Sequence, residues 1–448
     1  MFSAFINCWK IPELRKRILF TLGIVALARL GANIPCPGVD PTALNLWINK
    51  QMGTVGGGAV GLAIMLTGGG LARCAVFALG VMPYITSTII MQLLTAVVPS
   101  LERLRQEGQS GYAKIIQYGR YMTVLICIIQ GFFLAKTFEN PSGYLFPGFT
   151  GVLVRNPGIG FEMLTVITIT AGSILIMWLG EQITERGIGN GVSLIITVGI
   201  VDRLPSAIAQ TWALFFGGGQ NFNILIALFL IVMAVAVTAG VVALTQAERK
   251  IPVQYAQRMV GRKMLSGGQT FFPLRVNYSG VMPIIFAQAI LLFPQKLFSL
   301  SHLDFLQKLG RQLSEGYFLY LLLYGLMILF FSYFWVATQF NPLQIADDLK
   351  KHGGYVPGIR PGRPTAEFLD HTMTRVTLAG AVFLTVIAVI PYILTRNMHV
   401  PYIAASFFGG TSLLINVGVL LDTMRQVESH LVMRHYDGFF RSKTRSRR

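Results

Sequence analysis

Ten apolar stretches constrain this chain more than anything else in it: near 18–34, 60–98, 119–136, 161–180, 191–212, 223–245, 279–300, 317–340, 373–395 and 402–423. Most approach the roughly 20 residues that an α-helix needs to cross a bilayer. Hydrocarbon offers no partner to a bare backbone, so these stretches must be helical there. The composition agrees, with 53% of the 448 residues hydrophobic and 12% charged, against about 25% charged in a soluble domain.

Gly80-Val81-Met82-Pro83 recurs as Gly280-Val281-Met282-Pro283. Each copy opens a long apolar run at the second span of its half, taking the halves as 1–222 and 223–448 with five spans apiece. Related halves with helix-breaking Gly and Pro at the matching span mark a membrane channel or transporter.

Lys and Arg set the orientation. An even span number puts both termini on one side, with residues 1–17, 99–120, 181–190, 246–278, 342–375 and 425–448. These segments hold 27 of the 37 basic residues, so both ends are expected in the cytosol. The same bias accounts for most of the +18 net charge. No small-residue cleavage site follows the first apolar run, which is therefore expected to be retained as a span. Cys8, Cys36, Cys74 and Cys127 form no CxxC pair and point to no chemistry.

The run 60–98 would reach about 58 Å as one helix, nearly twice the hydrocarbon thickness. Gly68-Gly69-Gly70 interrupts it. We expect a short helix ending near Thr67, then a full span from about Leu71. Non-helical backbone at that depth requires protein or a water-filled cavity around it. Arg29 and Arg73 are the clear charges within spans, both near enough to an end or break to snorkel. The only acidic candidate for a proton relay is Asp422, near the cytosolic end of the last span, which counts against a proton-coupled carrier.

Apparent catalytic motifs dissolve on inspection. Leu265-Ser266-Gly267-Gly268-Gln269 matches an ATPase signature loop, but no GxxxxGK[ST] phosphate cradle accompanies it. Gly187-Ile188-Gly189-Asn190-Gly191 lacks the dinucleotide spacing and sits between two spans as a tight turn. There is no HExxH or GxSxG, and the sequon Asn277-Tyr278-Ser279 falls on the cytosolic side. No catalytic residue, metal ligand or cofactor is expected. The loops at 246–278 and 341–375 exceed what a connector needs. The first carries Arg249, Lys250, Arg258, Arg262 and Lys263; the second holds Arg360 between Gly358 and Gly362. Two long basic loops on one face suit an anionic partner, ribosomal RNA or an acidic protein surface.

Four motifs in order, Ala78–Ile85, Gly180–Gly191, Val356–Gly362 and Phe408–Ile415, together resemble the SecY/Sec61-alpha family, the channel-forming subunits of the Sec protein translocon. The resemblance covers nearly the whole chain. It implies an all-α polytopic membrane protein whose ten transmembrane helices form two inverted, pseudo-symmetric halves around an hourglass pore. By resemblance, a plug includes Val60, Leu62, Ile64, Leu66 and Thr67. A pore ring comprises Val81, Ile85, Val192, Ile196, Ile285 and Ile415, with Val81 and Val192 each one methylene short of the family's isoleucine. A lateral gate involves Thr86, Gln130, Gln288 and Phe293. Arg258, Arg262, Lys263, Arg360 and Tyr436 would dock a motor or ribosome. The implied partners are SecE- and SecG-type subunits, a SecA-type motor ATPase, the ribosome, signal peptides and nascent chains, and membrane lipids, in a bacterial plasma membrane or a thylakoid. Taken singly, each aliphatic residue fits ordinary packing as well. A solute carrier would instead place convergent polar groups at the midplane.

Overall fold

The computed structural model describes residues 11–51, 64, 67–141, 149, 151–205, 208–209, 224–255, 258–260, 263–265, 269–300, 304–313, 317–398, 405 and 410–445. Its helices are α1 (Pro12–Gly31), α2 (Thr42–Gln51), α3 (Met82–Val97), α4 (Pro99–Gln106), α5 (Gln109–Glu139), α6 (Ile159–Arg186), α7 (Gly191–Val201), α8 (Ile224–Gln246), α9 (Met282–Leu300), α10 (Asp304–Gln312), α11 (Phe318–Gln339), α12 (Pro342–Lys351), α13 (Arg363–Met398) and α14 (Thr411–Arg445). Each of the ten apolar stretches overlaps one of them. Among the described residues, five helices are long and apolar enough by themselves to cross a membrane. The bent pair α3–α4, which turns by 100°, makes a sixth if taken together. Pro99 opens α4 and cannot continue the helix before it.

The two copies of Gly-Val-Met-Pro fold alike. Gly80 and Gly280 take left-handed φ of +54° and +62°, a conformation that glycine adopts without strain. Helices then begin at Met82 and Met282, with Pro83 and Pro283 in the first turn, where a missing N–H costs nothing. The repeated phrase is thus a helix start. It also corrects the expected span from Leu71, because residues 71–81 form turns. Part of that segment is pinned backwards: the Val76 amide donates to Ile34 O at 2.9 Å, and that of Cys36 to Cys74 O at 2.8 Å. Burial pushes the Cys36 thiol up to about 12, against about 8.5 for a free thiol. A maleimide at neutral pH should therefore label Cys36 only on unfolding, a result readable by mass spectrometry of native and denatured protein.

Contacts divide the chain into two units. One comprises 1–219, 401–404 and 419–448; the other comprises 220–400 and 405–418. In the first, α3 and α5 approach closely enough for the Ser87 hydroxyl to donate to Gly119 O at 2.5 Å. Small residues allow such contact between membrane helices. Apolar side chains also face outward, among them Leu22, Phe133, Ile167 and, in the second unit, Val235, Leu326 and Phe330. Exposed apolar surface on this scale suits lipid. Lys136 on α5 pairs with Glu162 and lies 3.8 Å from Glu139, whose carboxylate accepts from the Gly158 amide at 2.9 Å. Lys136→Met would leave the 12%-exposed Glu162 side chain facing another carboxylate. We expect a loss of about 1–2 kcal/mol, measured as a lower thermal midpoint in detergent.

To the helices the second unit adds a sheet that the apolar pattern does not announce. Strands β1 (Glu248–Tyr255), β2 (Arg258–Val260), β3 (Lys263–Leu265), β4 (Gln269–Arg275) and β5 (Gly354–Tyr355) come from both long basic loops. The order β4-β1-β5 is antiparallel throughout, with Ile251 opposite Phe272 and Gln254 opposite Tyr355. β2 and β3 form a separate two-stranded ribbon. Ile251, Leu274 and Val356 pack with Val336, Phe340, Leu369 and Met373, fastening the sheet to α11 and α13.

Candidate functional site

In the first unit the candidate ring residues are two helical pairs, each spaced i,i+4 and so sharing a helix face. Val81 is buried just ahead of α3 and Ile85 is buried one turn on; Val192 is half-buried and Ile196 buried on α7. In the second unit Ile285 on α9 and Ile415 on α14 are both buried. Val81 also lines a cavity of about 20 Å³ with Val25, Arg29, Thr67, Gly68, Ile176, Ile195 and Val198, room for about one water.

The turn at Gly187–Gly191 positions the α7 pair. The Asn190 side chain accepts from the Ser193 amide at 3.3 Å and caps α7. The Thr184 hydroxyl accepts from the Gly191 amide at 2.9 Å. Thr21 Oγ1 accepts from the Ile188 amide at 3.2 Å, and Gln426 Oε1 from that of Gly189 at 2.8 Å. The turn is thereby tied to α1 and α14. A Cβ at Gly191 would stand 2.0 Å from Gly180 O, and one at Gly180 3.1 Å from Val192 Cγ2. These glycines let α6 and α7 meet where Val192 begins its helix. The eleven-residue α7 is shorter than the expected span 191–212, because the chain turns at Asp202 and Arg203.

Of the plug candidates, Val60, Leu62 and Leu66 lie outside the described residues. Ile64 is helical and fully buried, and Thr67 is half-buried in the turn that follows. That turn engages more charge than the sequence pattern indicates. Arg29 does not snorkel to water: its Nη1 donates to Gly68 O at 3.1 Å and lies 3.8 Å from Asp202. Arg73 donates to Asn33 Oδ1. Asp202 and Arg203 fall within the apolar stretch 191–212, so they add to the charges expected inside spans.

Among the gate candidates, Thr86 donates to Met82 O at 3.0 Å within its own helix, so its hydroxyl is satisfied locally. Gln130 is half-buried on α5 and Gln288 buried on α9; the Phe293 backbone is helical in α9. Of the docking candidates, Arg258 is in β2 and Lys263 in β3, Arg262 lies outside the described residues, and Tyr436 is in α14. Arg360 is exposed on a tip between Gly358 and Gly362, at φ +84° and +102°. The Thr365 hydroxyl steadies it by donating to Arg360 O at 2.8 Å. The sheet joins that tip's loop to the loop carrying β2 and β3, a link made through Gln254 and Tyr355, 101 residues apart.

A family model described as SecY matches residues 75–424. The protein translocase subunit SecY of Streptomyces coelicolor is 44% identical over 455 aligned residues, covering 98% of this chain and all of that one. Its namesake from Thermotoga maritima is 42% identical with both chains fully covered. That of Chlamydia muridarum is 41% identical over 96% of each. Among solved structures, one described as a protein conducting channel has a TM-score of 0.59 at 18% identity, covering 95% of this chain and 96% of the other. Sec61 in the canine ribosome-channel complex from the endoplasmic reticulum has a TM-score of 0.58 at 17% identity, with the same coverage. The architecture is theirs as well, and by the extent of its sequence match this chain belongs to the SecY family of protein translocase subunits.

Proposed function

We propose that this chain is the channel through which unfolded secretory polypeptides cross a membrane and from which apolar segments pass sideways into lipid. The observation that carries this reading is its family membership, with relatives above 40% identity matching from end to end. In this reading the six aliphatic residues Val81, Ile85, Val192, Ile196, Ile285 and Ile415 form the waist. A narrow apolar constriction dewets and blocks ions. It offers no polar partner that would hold a passing chain, which suits a conduit indifferent to sequence. Residues 60–67 plug it from outside, and Thr86, Gln130, Gln288 and Phe293 line the lateral exit. The halves 1–222 and 223–448 act as the two jaws, and SecE- and SecG-type subunits complete the complex.

Energy comes from outside the chain. Both termini lie in the cytosol of a bacterial cell, and the plasma membrane holds the spans. The basic loops, joined by one sheet, receive either a SecA-type motor ATPase or a ribosome through Arg258, Arg262, Lys263, Arg360 and Tyr436. Guanidinium groups suit RNA phosphates and carboxylates alike. Arg360→Glu should lower motor-driven translocation about tenfold at an unchanged level of channel in the membrane, with partner binding that weakens steeply in salt. Normal transport by the Arg360→Glu channel would remove the docking role.

Site-specific crosslinking from Ile196 to a stalled secretory chain, in vesicles supplied with the motor ATPase, tests the channel reading. An ATP-dependent adduct at Ile196, absent from outward-facing Ile167, is the expected result. Reaction at Ile167 alone would place the polypeptide elsewhere and overturn the ring.

A further inference from the structure

We propose that Cys36 and Cys74 become joined by a disulfide in the membrane, a covalent staple between the outer end of α1 and the turns that lead into α3. The proposal rests on the reading that both termini are cytosolic. That orientation puts residues 32–36, just past α1, on the outer side, where disulfides form and persist. Both thiols are free in this structure, and the backbone around them marks them as partners. Pro35 and Ala75 form an antiparallel bridge. It is flanked by the Cys36 amide donating to Cys74 O at 2.8 Å and the Val76 amide donating to Ile34 O at 2.9 Å. One residue along that register, Cys36 stands opposite Cys74. Opposed Cα atoms at such a position lie about 5.5 Å apart, inside the window of roughly 4.4–6.8 Å that a disulfide spans.

The side chains share one buried environment, Cys36 being 1% exposed and Cys74 0%. Burial raises the Cys74 thiol, and the charge of a Cys36 thiolate raises it further, a coupling that requires the two groups to be near neighbours. Cys74 also has φ +46°, the sole left-handed non-glycine among the described residues. Cysteine has no local reason to prefer that conformation, so its place there is explained by what its side chain joins. The segment behind it is already wedged in position. A Cβ at Gly31, the last residue of α1, would stand 2.1 Å from the Phe77 ring, and one at Gly172 on α6 would stand 2.3 Å from Val76 O. The disulfide would fix covalently what these contacts hold by packing.

The oxidant is a second disulfide, that of a thiol–disulfide oxidoreductase on the outer side. The Cys36 thiolate attacks one of its sulfurs, forming a mixed disulfide and expelling a thiolate. The Cys74 thiolate then attacks Cys36 Sγ and expels the other. Cys36 and Cys74 lose two electrons and two protons between them, and the oxidant leaves as a dithiol. Burial slows this exchange in the packed protein, so it belongs to the interval after insertion and before the turns close over the pair. Maleimide labelling of Cys36 in the unfolded chain then requires a reductant as well as a denaturant.

The test is mass spectrometry of the full complex, taken from membranes by acid quench and alkylated in denaturant before digestion without reductant. We expect a peptide pair linked through Cys36 and Cys74 that disappears on reduction, with Cys127 alkylated. Cys36→Ala, Cys74→Ala and the double variant are compared by thermal midpoint. A disulfide predicts that each single variant falls by roughly 5 °C and the double by no more, whereas separate packing losses add. Val152→Cys reports orientation independently, since Val152 is 78% exposed in the loop between α5 and α6. Alkylated Cys36 and Cys74 in wild type, with Val152→Cys labelled by an impermeant maleimide from outside spheroplasts, would overturn the staple. Additive losses in the double variant would also overturn it. Val152→Cys labelled only from the inner side would instead remove the orientation on which the proposal stands.

Discussion

Alanine at Gly191 should leave little folded protein in the membrane. The added Cβ would lie 2.0 Å from Gly180 O and 2.6 Å from Ile183 Cβ. Neither obstacle is the free end of a side chain: one is the backbone of α6, the other an atom attached directly to it. Relief requires α6 and α7 to separate, which breaks the bond from the Gly191 amide to Thr184 Oγ1 and disturbs the Asn190 cap. A backbone clash that no rotamer can relieve belongs at the upper end of overpacking costs, about 3 kcal/mol. Gly23 in α1 is the control, since a Cβ there meets nothing within 4 Å. Fluorescence-detected size exclusion after a heating series should show Gly191→Ala aggregated well below wild type and Gly23→Ala unchanged. Indistinguishable profiles for the two variants would show that the α6–α7 turn tolerates a side chain after all.

The second large effect concerns the seal. Ile415→Asn should raise resting ion leak about tenfold and let polypeptides with weakened signal sequences through, because an amide at the waist gives water something to bind. A rise of that size corresponds to about 1.4 kcal/mol shifted between dry and wetted pore. Ile415→Val removes one methylene without adding polarity and should stay near wild type. Val81 and Val192 already stand at that size in the proposed ring. Conductance in planar bilayers and export of a signal-defective reporter read the two consequences separately. If Asn and Val behave alike at 415, dewetting is not what closes this pore.

Much of the fold was legible because the bilayer imposes a simple rule: an apolar run of the right length has little choice but to become a helix. Each of the ten runs therefore overlaps a helix, and the repeated phrase starts one at Met82 and at Met282 alike. Where the forecast slipped, a local effect outweighed hydropathy. The stretch after Gly70 is as apolar as a span, yet left-handed Gly80 and the backbone bonds from 34–36 to 74–76 hold it as turns. α7 stops early because the chain turns at Asp202 and Arg203, two charges inside an otherwise apolar stretch. The sheet escaped for another reason. β1 buries only Ile251 and Val253 and carries Pro252 between them, too brief an alternation to declare a strand. Its second partner, β5, is two residues long and lies about a hundred positions away. The candidate ring depended on family resemblance, since an aliphatic residue on a helix carries no mark of lining a pore.

The shared sheet also has a bearing on how this protein can be recombined. β1 supplies Gln254 and Tyr255 to β5 while its other edge pairs along nearly its whole length with β4. A chimera that imports residues 246–278 from a relative would bring a β1 edge tailored to a foreign β5, and its Gln254 position would have to match Tyr355 here. The interchangeable module is the pair of loops with the ends of α11 and α13 beneath them. Transplants made one loop at a time should yield hybrids crippled by mismatch, whatever the donor's own competence.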